Sequence, residues 1–132
     1  MEPQEVFDKV VAHLLTQKVQ SEENELSKYY GPNGLKCAVG CLIPPDLYNS
    51  EIEGISISLT YNPFGILIKS NGEHILAKIL NNIGISENTP SRELLMELQV
   101  IHDCLYPKEW FVVLRELAIE FDLSTEVLNK FN

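Results

Sequence analysis

Apolar side chains recur near the start of the chain at Val6, Phe7, Val10, Val11, Leu14 and Leu15, the rhythm of a helix with one inward stripe. The spacing predicts a helix over residues 3–18, with Pro3 in the first turn, where a missing N–H goes unnoticed. From Gln20 to Lys28 the stripe stops and the text turns polar, which predicts an exposed loop leading into Tyr29-Tyr30 and the turn Gly31-Pro32-Asn33-Gly34. Leu35 to Ile43 is a short apolar run closed by Pro44-Pro45. It reads as a buried helix of about two to three turns, and the small residues Cys37, Ala38, Gly40 and Cys41 would let another element approach closely. A strand is the alternative, because periodicity does not decide a run this short.

From Ile55 to Ser70 the period changes. Ile55, Ile57 and Leu59 alternate with Ser56, Ser58 and Thr60, Asn62-Pro63-Phe64-Gly65 punctuates, and Ile66-Leu67-Ile68 follows, which predicts a small β-hairpin at about residues 55–69. Helical text then returns. Residues 73–83 place Ile75, Leu76, Ile79, Leu80 and Ile83 on one side, with Gly84 as the stop. A helix from Thr89 or Ser91 to about Leu105 carries Leu94, Leu95, Leu98 and Ile101 inward; another opens at Pro107 with Trp110, Phe111, Leu114, Leu117, Ala118 and Phe121; Ser124 caps a last short one bearing Val127, Leu128 and Phe131. The expectation is a mainly α, single-domain bundle of about five helices over residues 1–132, packed around the Cys37–Ile43 segment, with the hairpin beside it.

Composition changes this picture little. With 132 residues, 45% hydrophobic and 22% charged, the chain can bury one core without help from a metal or a disulfide. No apolar run is long enough to cross a bilayer, and Met1-Glu2-Pro3-Gln4-Glu5 lacks the basic and apolar blocks of a signal peptide, so a soluble cytoplasmic protein with no membrane role is expected. The three cysteines, 37, 41 and 104, are an odd set that suits reduced thiols. Charge matters more. Ten Lys and Arg against 19 Asp and Glu give a net charge of −9, which disfavours direct nucleic-acid binding and favours a basic partner. The same surplus admits an acidic nucleic-acid mimic that inhibits a basic protein, although it also serves plain solubility.

The run Gly31-Pro32-Asn33-Gly34-Leu35-Lys36-Cys37-Ala38-Val39-Gly40-Cys41-Leu42-Ile43-Pro44, with Leu98-Gln99-Val100-Ile101-His102-Asp103 downstream, resembles a group of small uncharacterised bacterial and phage proteins. The opening Glu5 to Leu15 and the closing Phe121-Asp122-Leu123-Ser124 are similar too. The resemblance implies kinship and carries no activity. Members of that group often have a cysteine shortly before the aromatic-Gly turn, where this chain reads Ser27-Lys28-Tyr29, so a metal site relying on that thiol has no counterpart here.

Four residues carry the candidate chemistry. Cys37 and Cys41 share a helix face if that segment is helical, and His13 and His102 would complete a tetrahedral zinc site; buried cysteine is also an ordinary small hydrophobe. Cys37 beside Lys36 could be a nucleophile with His102 as its base. Asp103 is not expected to orient that ring, since neighbours on a helix point about 100° apart, and a packed histidine with a backbone hydrogen bond is the plainer outcome. The stretch from Leu117 to Leu128 has helix-turn-helix spacing, but its second helix offers Glu126, Asn129 and Lys130, which suits packing better than DNA reading. No phosphate-binding glycine loop or metalloprotease pair is present. The leading expectation is therefore a non-enzymatic protein-interaction module that docks through an acidic face or through Tyr29, Tyr30, Pro44, Pro45 and Tyr48. A Cys/His enzyme or zinc protein centred on Cys37, Cys41 and His102 is the alternative.

Overall fold

The helix predicted from the N-terminal stripe forms as α1, Pro3–Gln17, and buries all six stripe residues, Val6, Phe7, Val10, Val11, Leu14 and Leu15. It stops at Lys18, whose backbone turns left-handed (φ 60°) and donates its N–H to the Leu14 carbonyl. The computed structural model describes residues 1–60 and 70–131. Three further α-helices follow: α2, Asn71–Asn82; α3, Pro90–Cys104; and α4, Pro107–Glu120. Side-chain caps start two of them, Ser70 accepting from the Glu73 N–H and Thr89 from the Arg92 N–H. The protein is mainly helical, as the periodicity predicts. Among the described residues no helix is long and apolar enough to cross a membrane.

α1 is the hub. It packs most extensively on α3, and also on the C-terminal segment, the Gly40–Leu42 turn and α4. Between these elements lies one continuous apolar cluster, in which Trp110, Phe7, Leu14, Leu94, Leu95, Leu98 and Leu114 are fully buried. The last segment, Glu126–Phe131, is a 3₁₀ turn rather than an α-helix, and it docks Leu128 into the core. The Gln4 carboxamide clasps that end of the chain, accepting from the Ser124 N–H at 2.8 Å and donating to the Ser124 carbonyl at 3.1 Å. The segment in the place of a helix-turn-helix's second helix is therefore this docked turn.

Among the described residues three further segments depart from the periodicity, each for a local reason. The polar stretch read as a loop contains a two-stranded antiparallel hairpin, β1, Glu22–Glu23, paired with β2, Leu26–Ser27. Asn24 and Glu25 both take positive φ at its tip, the backbone of a tight hairpin turn. Cys37–Ile43 is buried as expected but is not a helix of two to three turns. One helical hydrogen bond, Cys41 N–H to the Cys37 carbonyl, leads straight into the 3₁₀ turn Gly40–Leu42, and Ile43, forced extended by Pro44, ends it. Finally, Ile57–Thr60 is a 3₁₀ turn, not the first arm of a hairpin; the Ser56 hydroxyl accepts the Ser58 N–H and satisfies locally a donor that a strand would have used. The remainder of the hairpin expected at 55–69 lies outside the described residues.

Candidate functional site

His102 sits near the end of α3 on the face of Leu95 and Leu98, and only 1% of its surface is exposed. Its Nε2 accepts the Ser21 N–H at 2.9 Å, so the ring proton sits on Nδ1, which meets Asp103 Oδ1 at 2.7 Å. The ring also packs against Trp110, with centroids 5.7 Å apart. The expectation that Asp103 would not reach its neighbour is therefore overturned. His102 is buried in the core, Asp103 is partly exposed beside it, and their side chains meet through Nδ1 and Oδ1. Gln99, one turn back, donates to the same Oδ1 at 2.8 Å and uses its own carbonyl oxygen to accept the Val39 N–H at 3.0 Å. Gln99, His102 and Asp103 thus form one hydrogen-bonded bracket that ties α3 to Ser21, just before β1, and to the Cys37 segment.

The bracket does not pair His102 with Cys37. Both ring nitrogens of His102 are engaged, and neither bonds to Cys37. The Cys37 thiol is 1% exposed and accepts the Gly40 N–H at 3.3 Å. Burial pushes its pKa up to about 12, the charge of Asp103 adding to the effect against the pull of that hydrogen bond. A thiol so placed is not ionised near neutrality and is a poor nucleophile.

The zinc candidates are likewise committed elsewhere. The Cys41 thiol donates to the Ala38 carbonyl at 3.1 Å, and burial pushes its pKa up to about 12 as well. His13 Nε2 donates to the Lys36 carbonyl at 2.8 Å, an oxygen that Gln17 also reaches, while the Gln17 carboxamide oxygen accepts the Lys36 N–H. His13 thus anchors the entrance of the cysteine segment to α1. Among the described residues, no group of three or more His, Cys, Asp or Glu side chains is placed to hold a metal ion.

The five interaction candidates divide. Tyr29 turns inward, is 7% exposed, and donates its hydroxyl to the Ile55 carbonyl. Tyr30 and Tyr48 remain half-buried at the surface and stack in parallel, ring centroids 4.0 Å apart and planes 6° from one another. The Lys36 ammonium stands 4.5 Å from the Tyr30 ring centre. The Tyr30 hydroxyl donates to the Ile43 carbonyl, and Pro44 and Pro45, immediately following, are exposed. Burial raises the pKa of both stacked phenols above the usual tyrosine range.

What organises this face is Glu53, a residue without any sequence signature. Its carboxylate accepts the Tyr29 N–H at 2.9 Å, the Tyr30 N–H at 3.0 Å and the Tyr48 hydroxyl at 2.7 Å. One side chain thereby fixes two backbone donors of an open loop and one of the stacked rings. Gln99 and Asp103 were more legible, since polar residues four apart share a helix face.

No protein-family model, curated protein or solved structure matches this chain.

Proposed function

We propose that the chain is a non-enzymatic protein-interaction module whose docking face is formed by Tyr30, Tyr48, Pro44 and Pro45. The observation that carries this reading is the locked Tyr30–Tyr48 stack. Two aromatic rings, each tied by its hydroxyl and both held through Glu53, lose little freedom when a partner settles on them, and rigid aromatic anchors of this kind dominate protein interfaces. Two prolines extend the surface without adding backbone entropy to be lost. The net charge of −9 favours a basic partner and faster encounter with one.

Affinity purification from native lysate, performed side by side with wild type and a Tyr48→Ala, Pro45→Ala double variant, tests the proposal. The expected result is a specific protein that the variant recovers at least about tenfold less, the loss typical of removing an interface anchor. Recovery of the same protein at equal yield by both chains would remove this face from the interface. If neither recovers a specific partner, the interaction reading itself goes.

A further inference from the structure

A cleft of about 260 Å³ opens between β2, Cys37, residues 54–57 and α3. Leu26, Tyr29, Ile55 and Ile57 supply apolar wall, and Gln99 and Asp103 supply the polar end. None of Tyr30, Pro44, Pro45 or Tyr48 lines it, so it is separate from the docking face.

The polar end is unusually well fixed for a surface carboxylate. The Asp103 side chain is 35% exposed, yet Oδ1 takes hydrogen bonds from both His102 and Gln99. Each of those donors is itself pinned from behind, His102 by the Ser21 N–H and Gln99 by the Val39 N–H. Both bonds go to Oδ1, and Oδ2 receives none from the described residues. Among the described residues no lysine or arginine forms an ion pair with Asp103, although Lys28 also lines the cleft. A preorganised carboxylate with no lysine or arginine ion pair among the described residues, lining a mostly apolar cleft, is an arrangement that suits a cationic head on an apolar stem.

We propose that this cleft binds a small organic cation, an ammonium or guanidinium group on a short apolar stem, with Asp103 Oδ2 receiving the head and Tyr29, Ile55 and Ile57 receiving the stem. The space holds about eight water-sized groups, enough for a head and a stem of about four carbons. A free amine and the side chain of an arginine or lysine share this chemistry.

The test is an amide-resolved NMR titration of the full chain near physiological salt. The probes are n-butylguanidinium, n-butylammonium and a capped arginine, with n-butanol and butyrate as controls. The expected result is saturable binding of at least one cationic probe, on the order of millimolar, with shifts centred on Ser27, Tyr29, Gln99 and Asp103. Binding of the free cations but not capped arginine assigns a small-molecule ligand, whereas binding of capped arginine admits a protein side chain. Asp103→Asn, which keeps an oxygen for His102 and Gln99 while removing the charge, is expected to weaken binding at least about tenfold. Shifts scattered over the acidic surface, equal binding of n-butanol, or undiminished affinity in Asp103→Asn overturns the proposal. Should that variant fail to fold, Leu26→Lys decides: it places a positive charge on an exposed rim residue, and unchanged affinity for the cation would refute the site.

Discussion

Gly40→Ala offers a direct test of the packing at the centre of the molecule. A Cβ built on Gly40 would lie 1.9 Å from the Tyr29 carbonyl oxygen, where ordinary contact begins at 3.4 Å, a shortfall of 1.5 Å. The obstacle is backbone, so no rotamer change relieves it. Neither side can slide freely: Tyr29 is held at its N–H by Glu53 and at its hydroxyl by Ile55, while the Gly40 N–H bonds the Cys37 sulfur and its carbonyl accepts the Ile43 N–H. Overpacking in a fixed core costs about 1–3 kcal/mol, and a displaced hydrogen bond adds about 1 kcal/mol. Stiffening of the unfolded chain by alanine returns about 0.4–1 kcal/mol. The expected net loss is about 2 kcal/mol, or about 8 °C in midpoint for a chain of this length. Urea unfolding followed through Trp110, the chain's one tryptophan and fully buried, measures it. Gly54→Ala is the comparison, because Gly54 has a left-handed backbone (φ 80°) but nothing within 4 Å of an added Cβ; its cost is expected near 1 kcal/mol, from backbone alone. If Gly40→Ala is no worse than Gly54→Ala, the close approach of the two segments is not a feature of the folded protein.

Thiol reactivity separates the three cysteines: exposed Cys104 is expected to react with an alkylating agent in the native state, and Cys37 and Cys41 only after denaturation, as counted by mass spectrometry. Fast native labelling of Cys37 would restore the nucleophile reading. Burial, reinforced by the charge of Lys36 and by His102, lowers the pKa of His13 below 6.5 against the opposing hydrogen bond to the Lys36 carbonyl. The unfolded chain then takes up a proton first as pH falls, so His13 contributes stability that is complete above about pH 6.5 and is lost below it as the folded pKa is approached. Denaturant midpoints between pH 7.5 and 5.5 should fall, and fall less in His13→Gln; equal slopes would contradict this. Glu53→Ala strands two backbone donors and one phenol, and a destabilisation of about 2 kcal/mol is expected, together with greater mobility of the Tyr30 and Tyr48 rings in NMR line shapes.

The helices were legible because their information is local. Six apolar residues on one stripe sufficed to place α1, and Leu94, Leu95, Leu98 and Ile101 sufficed for α3. The hairpin at 22–27 was invisible because two-residue strands carry no alternation, and the serines at 56 and 58 wrote a strand pattern while bonding locally. The candidate site was harder still. Cys37, His102 and Asp103 stood out as chemistry, but whether the ring was free or occupied depended on the backbone of Ser21, 81 residues away. Glu53 gave no clue at all, since its partners are the N–H groups of residues whose loop conformation is set by the same contact.

The hub position of α1 bears on how the protein is made. Among the described residues, the elements on which this helix mainly rests follow it in the chain, the nearest being the Gly40–Leu42 turn and the most extensive, α3, not finishing until Cys104. During synthesis at roughly 5–20 residues per second, the stripe of Val6, Phe7, Val10, Val11, Leu14 and Leu15 therefore stays without its main covering for several seconds. Contacts this distant in sequence also close slowly in the released chain. The segment that dominates the finished core is thus the one most in need of protection while the chain is being born.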